Sequence, residues 1–292
     1  MRQVTGHSIQ RILRYRSTVR NPLRNFVRTA PPPQAGQARV RFAHCDPEVA
    51  CRWRRFVALC PRIFADREAP SPTMPQTPPS PLEAMRRLIA GNERYKNDTR
   101  SVTALASQLQ RGGLAAGQSP FAIVLCCSDS RAPAEILFDQ GLGDLFVIRV
   151  AGNIVAPSGI GSAEFAAATY GTRLVVVMGH SSCGAVTATL EVLRGESTVA
   201  SDNIRDIVDR IRSSAQTVLE VGKGRSPELQ LRDAIRANVR NAVDHLRHGS
   251  RILEDMVNSG QMVIVGAVYD ITTGHVDFLD VPAELREALP PQ

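Results

Sequence analysis

The stretch FAIVLCCSDSR, residues 121–131, decides the fold. Apolar residues run without a break from Phe121 to Cys126, straight after the turn-forming Gly117-Gln118-Ser119-Pro120, and the chain then becomes abruptly polar. A short continuous apolar run bounded by Gly and Pro predicts a strand buried on both faces. Three further runs share this character: Leu145–Val150, Leu174–Met178 and Met262–Tyr269. The last leads to a turn at Thr272-Thr273-Gly274 and a final strand over His275–Leu279.

Helical patterns separate the strands. Ser80-Pro81-Leu82-Glu83 reads as a capping box with Pro at the first helical position, Ser80 capping and Glu83 reaching back. Leu82, Met85, Leu88 and Ile89 give that helix one apolar face. Ser162–Tyr170 is Ala-rich and stops at Gly171. Ile204, Ile207, Val208, Ile211, Ala215, Val218 and Leu219 keep a helical period, and Ser226-Pro227 caps a long helix running towards Gly260. Short buried strands alternating with helices predict an α/β fold. Its sheet is mostly parallel with flanking helices, and an antiparallel strand is added at the C-terminal end.

Composition narrows the function. The apolar fraction of 43% suffices for a full core, no apolar run is long enough to span a membrane, and six Cys in 292 residues are too few for a disulfide scaffold. The net charge of +7 is uneven: 14 Arg but only four acids, Asp46, Glu48, Asp66 and Glu68, lie in residues 1–80. The remainder is slightly acidic, so no nucleic-acid surface is expected. Residues 1–79, with Pro31-Pro32-Pro33 and a Pro-rich stretch from Pro70 to Pro79, form a basic extension. Three readings of it stay open: a disordered or untranslated leader with Met74 as the true start, a transit peptide with Ile9, Ile12, Leu13 and Tyr15 as its apolar face, or a partner-binding tail. The expected location is cytoplasmic in the first case and organellar in the second. Residues 80–292 are the expected catalytic domain.

Ligands of such sheets bind beyond the carboxyl ends of the strands. Cys127-Ser128-Asp129-Ser130-Arg131 follows the first strand and His180-Ser181-Ser182-Cys183 follows the third. His180 and Cys183 have the spacing of two ligands on a loop entering a helix, where Cys183 is biased towards thiolate. Cys127 can supply a third ligand. Two thiolates and an imidazole suit one Zn2+ and leave a fourth position for water, the pattern of a catalytic site. Asp129 beside that water can accept its proton in a hydrogen bond, with Arg131 keeping the carboxylate ionised and oriented. Taken singly, each Cys is more often a small core residue, His180 a structural histidine and Asp129–Arg131 a strand-end ion pair. Both motifs at two strand ends together favour the metal. Cys126 should face the opposite side of its strand. Cys45, Cys51 and Cys60 show no ligand spacing with His44, and His7, His245, His248 and His275 read as surface residues.

The pair Cys127-x-Asp129-x-Arg131 and His180-x-x-Cys183 resembles the zinc signature of the β-class carbonic anhydrases, and the likeness extends roughly from Leu82 to Leu279. Gly91-Asn92-x-Arg94-Tyr95, the run Phe138–Asp144, Ala151-Gly152-Asn153 and Val265–Asp270 add to it. The resemblance implies a zinc enzyme interconverting carbon dioxide and bicarbonate, with Asp129 and Arg131 as the orienting dyad. It also implies a homodimer or higher even oligomer whose cleft lies between subunits. On the same likeness Gln118 and Phe146 match pocket residues of the plant-type branch, and Phe165 stands where that branch usually has Tyr. Gln118 and the Gly184 amide are candidates to hold substrate oxygens, with Phe146 and Phe165 as the apolar wall and facing the partner's zinc. The Trp of the bicarbonate-regulated branch has no counterpart, since the only Trp is Trp53. Two other readings keep the same site: a hydrolase of carbon disulfide or carbonyl sulfide, and a non-catalytic zinc-binding regulatory protein.

Overall fold

The computed structural model describes residues 78–102, 104, 114, 115 and 117–290, and the expectations placed on residues 1–77 lie outside these. A five-stranded sheet organises the described chain: β1 (Ala122–Cys126), β2 (Leu145–Arg149), β3 (Leu174–His180), β4 (Val263–Tyr269) and β5 (Val276–Leu279). Its order is β2-β1-β3-β4-β5, parallel throughout except for the antiparallel β4–β5 pair. The expected fold class is observed. Around the sheet lie α1 (Pro81–Lys96), α2 (Ala134–Leu137), α3 (Pro157–Tyr170), α4 (Gly184–Arg194), α5 (Asp202–Val221), α6 (Pro227–His248) and α7 (Arg251–Asn258). None of these helices is long and apolar enough to cross a membrane.

The two-residue period of the strands divides the core. Ala122, Val124, Cys126, Val176, Met178 and Ala267 face Ala84, Met85 and Leu88 of α1 and Phe138 after α2. Ile123, Leu125, Val175 and Val177 face Ala163, Ala166 and Ala167 of α3, Ala242 and Leu246 of α6 and Leu253 of α7. Because both faces are covered, the strands read as continuous apolar runs rather than alternating ones. A third cluster joins Cys127 and Cys183 to Ile154, Val186, Ile211, Ala234 and Ile235 of the surrounding turns and helices. It seats the carboxyl ends of β1 and β3 against α4, α5 and α6.

Several local expectations need correction. The long helix from Pro227 breaks at Gly249 rather than running on towards Gly260, because Ser250 caps a new helix by accepting from the Leu253 amide. The Ser250 hydroxyl also donates to Glu164 Oε1 at 2.6 Å, which ties the break to α3. Only half of the N-terminal capping box forms: Ser80 Oγ accepts from the Glu83 amide, but the Glu83 carboxylate takes an Arg87 hydrogen bond instead. The Ala-rich helix starts at Pro157, and β3 extends to His180.

Gly91 is where α1 meets the body most closely. A Cβ there would stand 1.7 Å from the Phe138 carbonyl oxygen and 2.8 Å from Gln140 Nε2. A backbone carbonyl cannot move aside as a flexible side chain can. Gly91→Ala is therefore expected to destabilise the protein by about 3 kcal/mol, the upper range for overpacking. Denaturant unfolding of the full chain checks this, and a midpoint equal to wild type would contradict the close approach.

Candidate metal centre

Parallel pairing brings the two polar motifs together. Cys126 is level with Met178 across β1 and β3, so the residues that follow each strand emerge side by side. Cys126 and Cys127 then part: Cys126 is fully buried against the α1 side, whereas Cys127 joins the cluster under α4 and α5. After His180 the chain turns through Ser182, whose φ is +56°, and Cys183 becomes the N-cap of α4. Cys127 Sγ, one imidazole nitrogen of His180 and Cys183 Sγ all lie within 4.8 Å of one another, and all three residues are buried.

The donor set fits a zinc ion. His180 Nδ1 lies 2.9 Å from the Ser181 carbonyl oxygen, so it carries the proton and donates it there. That tautomer leaves Nε2 with its lone pair free, and Nε2 is buried without a hydrogen-bond partner. A buried orphan acceptor facing two sulfurs is costly unless a ligand satisfies it. Two thiolates, one imidazole and a carboxylate outside the set match the preferences of zinc.

Without a metal, the sulfurs share one proton unequally. A hydrogen bond from the Cys183 thiol is the largest influence on Cys127 and outweighs burial, so the Cys127 thiol falls to about 4. The Gly152 amide adds to this, reaching Sγ at 3.3 Å. Cys183 moves the other way, pushed up by the bond it gives Cys127 and by burial, against the amides of Val186 and Ala185. Both shifts come from the one hydrogen bond the sulfurs share, and the Val186 and Ala185 amides of α4 work towards the expected thiolate bias of Cys183. Cys126 behaves as core, burial pushing its thiol up to about 12. His180 feels burial most, which lowers it, but Cys127, the Ser181 carbonyl and Asp129 together raise it.

Asp129 stands at the rim with 18% side-chain exposure. Its Oδ1 accepts from the Arg131 amide and Nε, both at 2.9 Å, and its Oδ2 accepts from Arg131 Nη2 at 2.8 Å. The Arg131 hydrogen bond holds this carboxyl well below the usual carboxylate range, against the smaller upward push of burial. Oδ2 also lies 3.8 Å from His180 Nε2, so the carboxylate faces the metal group. Arg131 Nη2 reaches the Ser182 carbonyl at 3.4 Å and so touches both loops. Gly184 opens α4 beside Cys183, with no atom within 4 Å of where its Cβ would be.

The structure does not bring the expected pocket residues to this chain's own metal group. Phe146 is level with Ile123, at the start of β1, about 13 Å from Cys127 at roughly 3.3 Å per residue. It packs instead with Phe165 and Tyr170, at centroid distances of 6.4 and 6.2 Å. Gln118 Nε2 donates to the Tyr170 hydroxyl at 2.8 Å, so Gln118, Phe146, Phe165 and Tyr170 form one surface cluster. Tyr170 escaped the sequence reading, and it returns a hydroxyl to a cluster where Phe165 has none. Two more residues went unnoticed. Asn238, buried on α6, donates to the Gly152 carbonyl at 2.8 Å and fixes the peptide segment that meets Cys127. Arg149 donates to the Cys127 and Asp129 carbonyls at 3.1 and 2.6 Å. No spacing in the sequence links either residue to the motifs.

Three side chains able to ligate a metal, gathered from two adjacent strand ends beside a carboxylate–guanidinium pair, mark a candidate metal site in an α/β fold. Comparison with known proteins makes this specific. The carbonic anhydrase family model matches residues 122–276. Carbonic anhydrase 2 of Mycobacterium tuberculosis is 36% identical over 71% of this chain and 96% of its own. The carbonic anhydrase of Mycolicibacterium smegmatis is 37% identical over 68% of this chain and 93% of its own. Among solved structures, the β-carbonic anhydrase CafA of Aspergillus fumigatus superposes with a TM-score of 0.54 at 26% identity, covering 68% of this chain and 93% of that one. The chain belongs to the β-class carbonic anhydrase family.

One zinc per chain is expected, and Cys127→Ala should lose most of it while Cys126→Ala keeps it. Metal analysis of the two purified variants checks the register, and the reverse pattern would overturn it. The metal-free protein offers a second check. A lowered thiol is ionised above its pKa and protonated below it, so thiolate ultraviolet absorbance should persist at neutral pH and vanish as pH falls through about 4. Cys127→Ala should abolish this low-pH transition and Cys126→Ala should leave it in place.

Proposed function

We propose that this chain catalyses the zinc-dependent, reversible hydration of carbon dioxide to bicarbonate and a proton. The observation that carries the reading is the Asp129 carboxylate, held by three Arg131 N–H groups and facing an orphaned His180 Nε2 between two thiols. A purely structural metal has no use for such a dyad. Cys127, His180 and Cys183 would hold the zinc, which would supply the Lewis acidity that activates water as the nucleophile.

The protein's own contribution follows from atoms already placed. A carboxylate offers about four acceptor sites, and Arg131 occupies three of those on Asp129. The remaining site is on Oδ2, the oxygen nearer the metal group. There Asp129 accepts a hydrogen bond from the nucleophile, which turns the nucleophile's lone pair towards the carbon of carbon dioxide. Since Arg131 keeps Asp129 ionised, it remains an acceptor through the ordinary pH range. The Gly184 amide, in the first turn of α4 where an N–H has no intrahelical acceptor, is the candidate to hold a substrate oxygen. Asp129→Asn and Arg131→Ala should each lower carbon dioxide hydration by about 100-fold or more while zinc is retained. Stopped-flow hydration assays on zinc-loaded protein test this. Full turnover in either variant, or a wild type active only on carbon disulfide or carbonyl sulfide, would overturn the reading.

Assembly as a homodimer or higher even oligomer belongs to the same proposal. Phe165 is 53% exposed beside Phe146 on the flank of β2, the outermost strand, and Gln118 is exposed with it. An aromatic patch next to a strand edge that is unpaired among the described residues favours burial by another subunit. It also lies too far from its own metal group to serve it, which supports a cleft completed across the interface. Phe165→Arg should therefore shift sedimentation towards monomer and abolish most turnover while keeping zinc. An active wild-type monomer at assay concentration would refute the shared cleft.

A further inference from the structure

Cys127 and Asp129 leave the sheet at the end of β1, where regular pairing stops. The last main-chain bond between the strands runs from the Val150 amide to the Cys126 carbonyl. Beyond it the Arg149 side chain takes over the role of a neighbouring strand. Its Nε donates to the Cys127 carbonyl at 3.1 Å and its Nη2 to the Asp129 carbonyl at 2.6 Å. Three residues later the Gly152 amide donates to Cys127 Sγ at 3.3 Å. One short segment thus holds Cys127 at its carbonyl and at its sulfur, and holds the dyad carboxylate's residue at its carbonyl. Gly152 itself is fixed by a φ of +69° and by the buried Asn238.

We propose that Arg149 is a positioning residue for the metal centre, bracing the Cys127–Asp129 loop so that the ligand sulfur and the dyad carboxylate keep one relative orientation. This rests on the carbonic anhydrase reading and deepens it. Arg149 is exposed at the end of an edge strand, so a packing role in the core is not its reason for being there. Two of its N–H groups go to main-chain carbonyls rather than to a carboxylate. Only a planar fork spans two carbonyls in this way, and a lysine ammonium would keep the charge without the span. Freed of the brace, the loop can tilt Asp129 away from the metal group even with its Arg131 bonds intact, because those bonds are internal to the loop.

The test uses the full-length, zinc-loaded protein with Arg149→Ala and Arg149→Lys. Arg149→Ala should lower kcat by about 10- to 100-fold and speed zinc loss to a chelator by about tenfold, the usual cost of losing an outer support of a metal ligand. KM should stay within about threefold, since no substrate contact is removed. Added guanidinium ion should restore part of kcat to Arg149→Ala, and Arg149→Lys should stay impaired. Hydrogen exchange at the buried Ala132 amide, which donates to the braced Asp129 carbonyl at 3.0 Å, should be faster in both variants. Should Arg149→Ala fail to fold, Arg149→Lys carries the same readings. Wild-type kcat and zinc retention in both variants, full recovery by lysine, or unchanged exchange at Ala132 would each overturn the brace. A wild type that does not hydrate carbon dioxide defeats the activity reading alone, because zinc loss and amide exchange still decide the role of Arg149.

Discussion

Everything at the metal centre depends on the parallel pairing of β1 with β3. With Cys126 level with Met178, one chain passes into Cys127 and the other into Gly179 and His180 at nearly the same height. A slip of one residue would turn Cys126 towards α4 and Cys127 into the core beneath α1, and would lift Asp129 away from His180. Register of this kind is enforced from both faces. α1 packs against Val124, Cys126, Val176 and Met178, and α3, α6 and α7 pack against Ile123, Leu125, Val175 and Val177. Gly179 adds a steric lock, since a Cβ there would meet Val239 Cγ2 of α6 at 2.7 Å.

The same pairing creates an electrostatic problem that the surroundings solve in layers. Two thiols and an imidazole are buried where β1 and β3 end, and charge is expensive there. Cys127 is stabilised as thiolate by the Cys183 thiol and by the Gly152 amide, which approach from different elements. The positive groups stand outside this layer. Arg131 joins Asp129 to the Ser182 carbonyl, and Arg149 joins the Cys127 and Asp129 carbonyls to the end of β2. Cations that approach through carbonyls and a carboxylate stabilise the negative centre without competing with a metal for its sulfurs.

What was legible in the sequence follows from how local its causes are. The buried strands showed as unbroken apolar runs because both faces of the sheet are covered, and the caps at Ser80 and Ser226 lie within three residues of the amides they satisfy. The ligand and dyad residues were readable for the same reason, as two short spacings at strand ends. The break at Gly249 was not, because Ser250 is chosen there partly by Glu164, 86 residues away. Asn238, Arg149 and Tyr170 were equally hidden, since each acts on a segment between 20 and 86 residues distant. The pocket aromatics illustrate a different limit: family likeness marked Phe146 and Phe165, but a single chain gathers them at the opposite end of β1 from Cys127.

Within the site, local and long-range causes divide the labour. The Asp129–Arg131 pair is nearly self-assembling: Oδ1 accepts the Arg131 amide two residues on, a turn that can form in a short peptide, and the guanidinium closes over the same carboxylate. Its geometry therefore owes little to the sheet. The ligand group owes almost everything to it, because Cys127 and His180 are neighbours only through β1 and β3. A rigid local unit must then be aimed at a centre assembled from afar, and the joint between them is the two-residue path from Cys127 to Asp129. An Asp129 side chain fully bonded to Arg131 can still point wrongly if that path rotates. Control of the dyad's direction has to come from groups outside the loop that grip its main chain, as the Arg149 fork from β2 does at the Cys127 and Asp129 carbonyls.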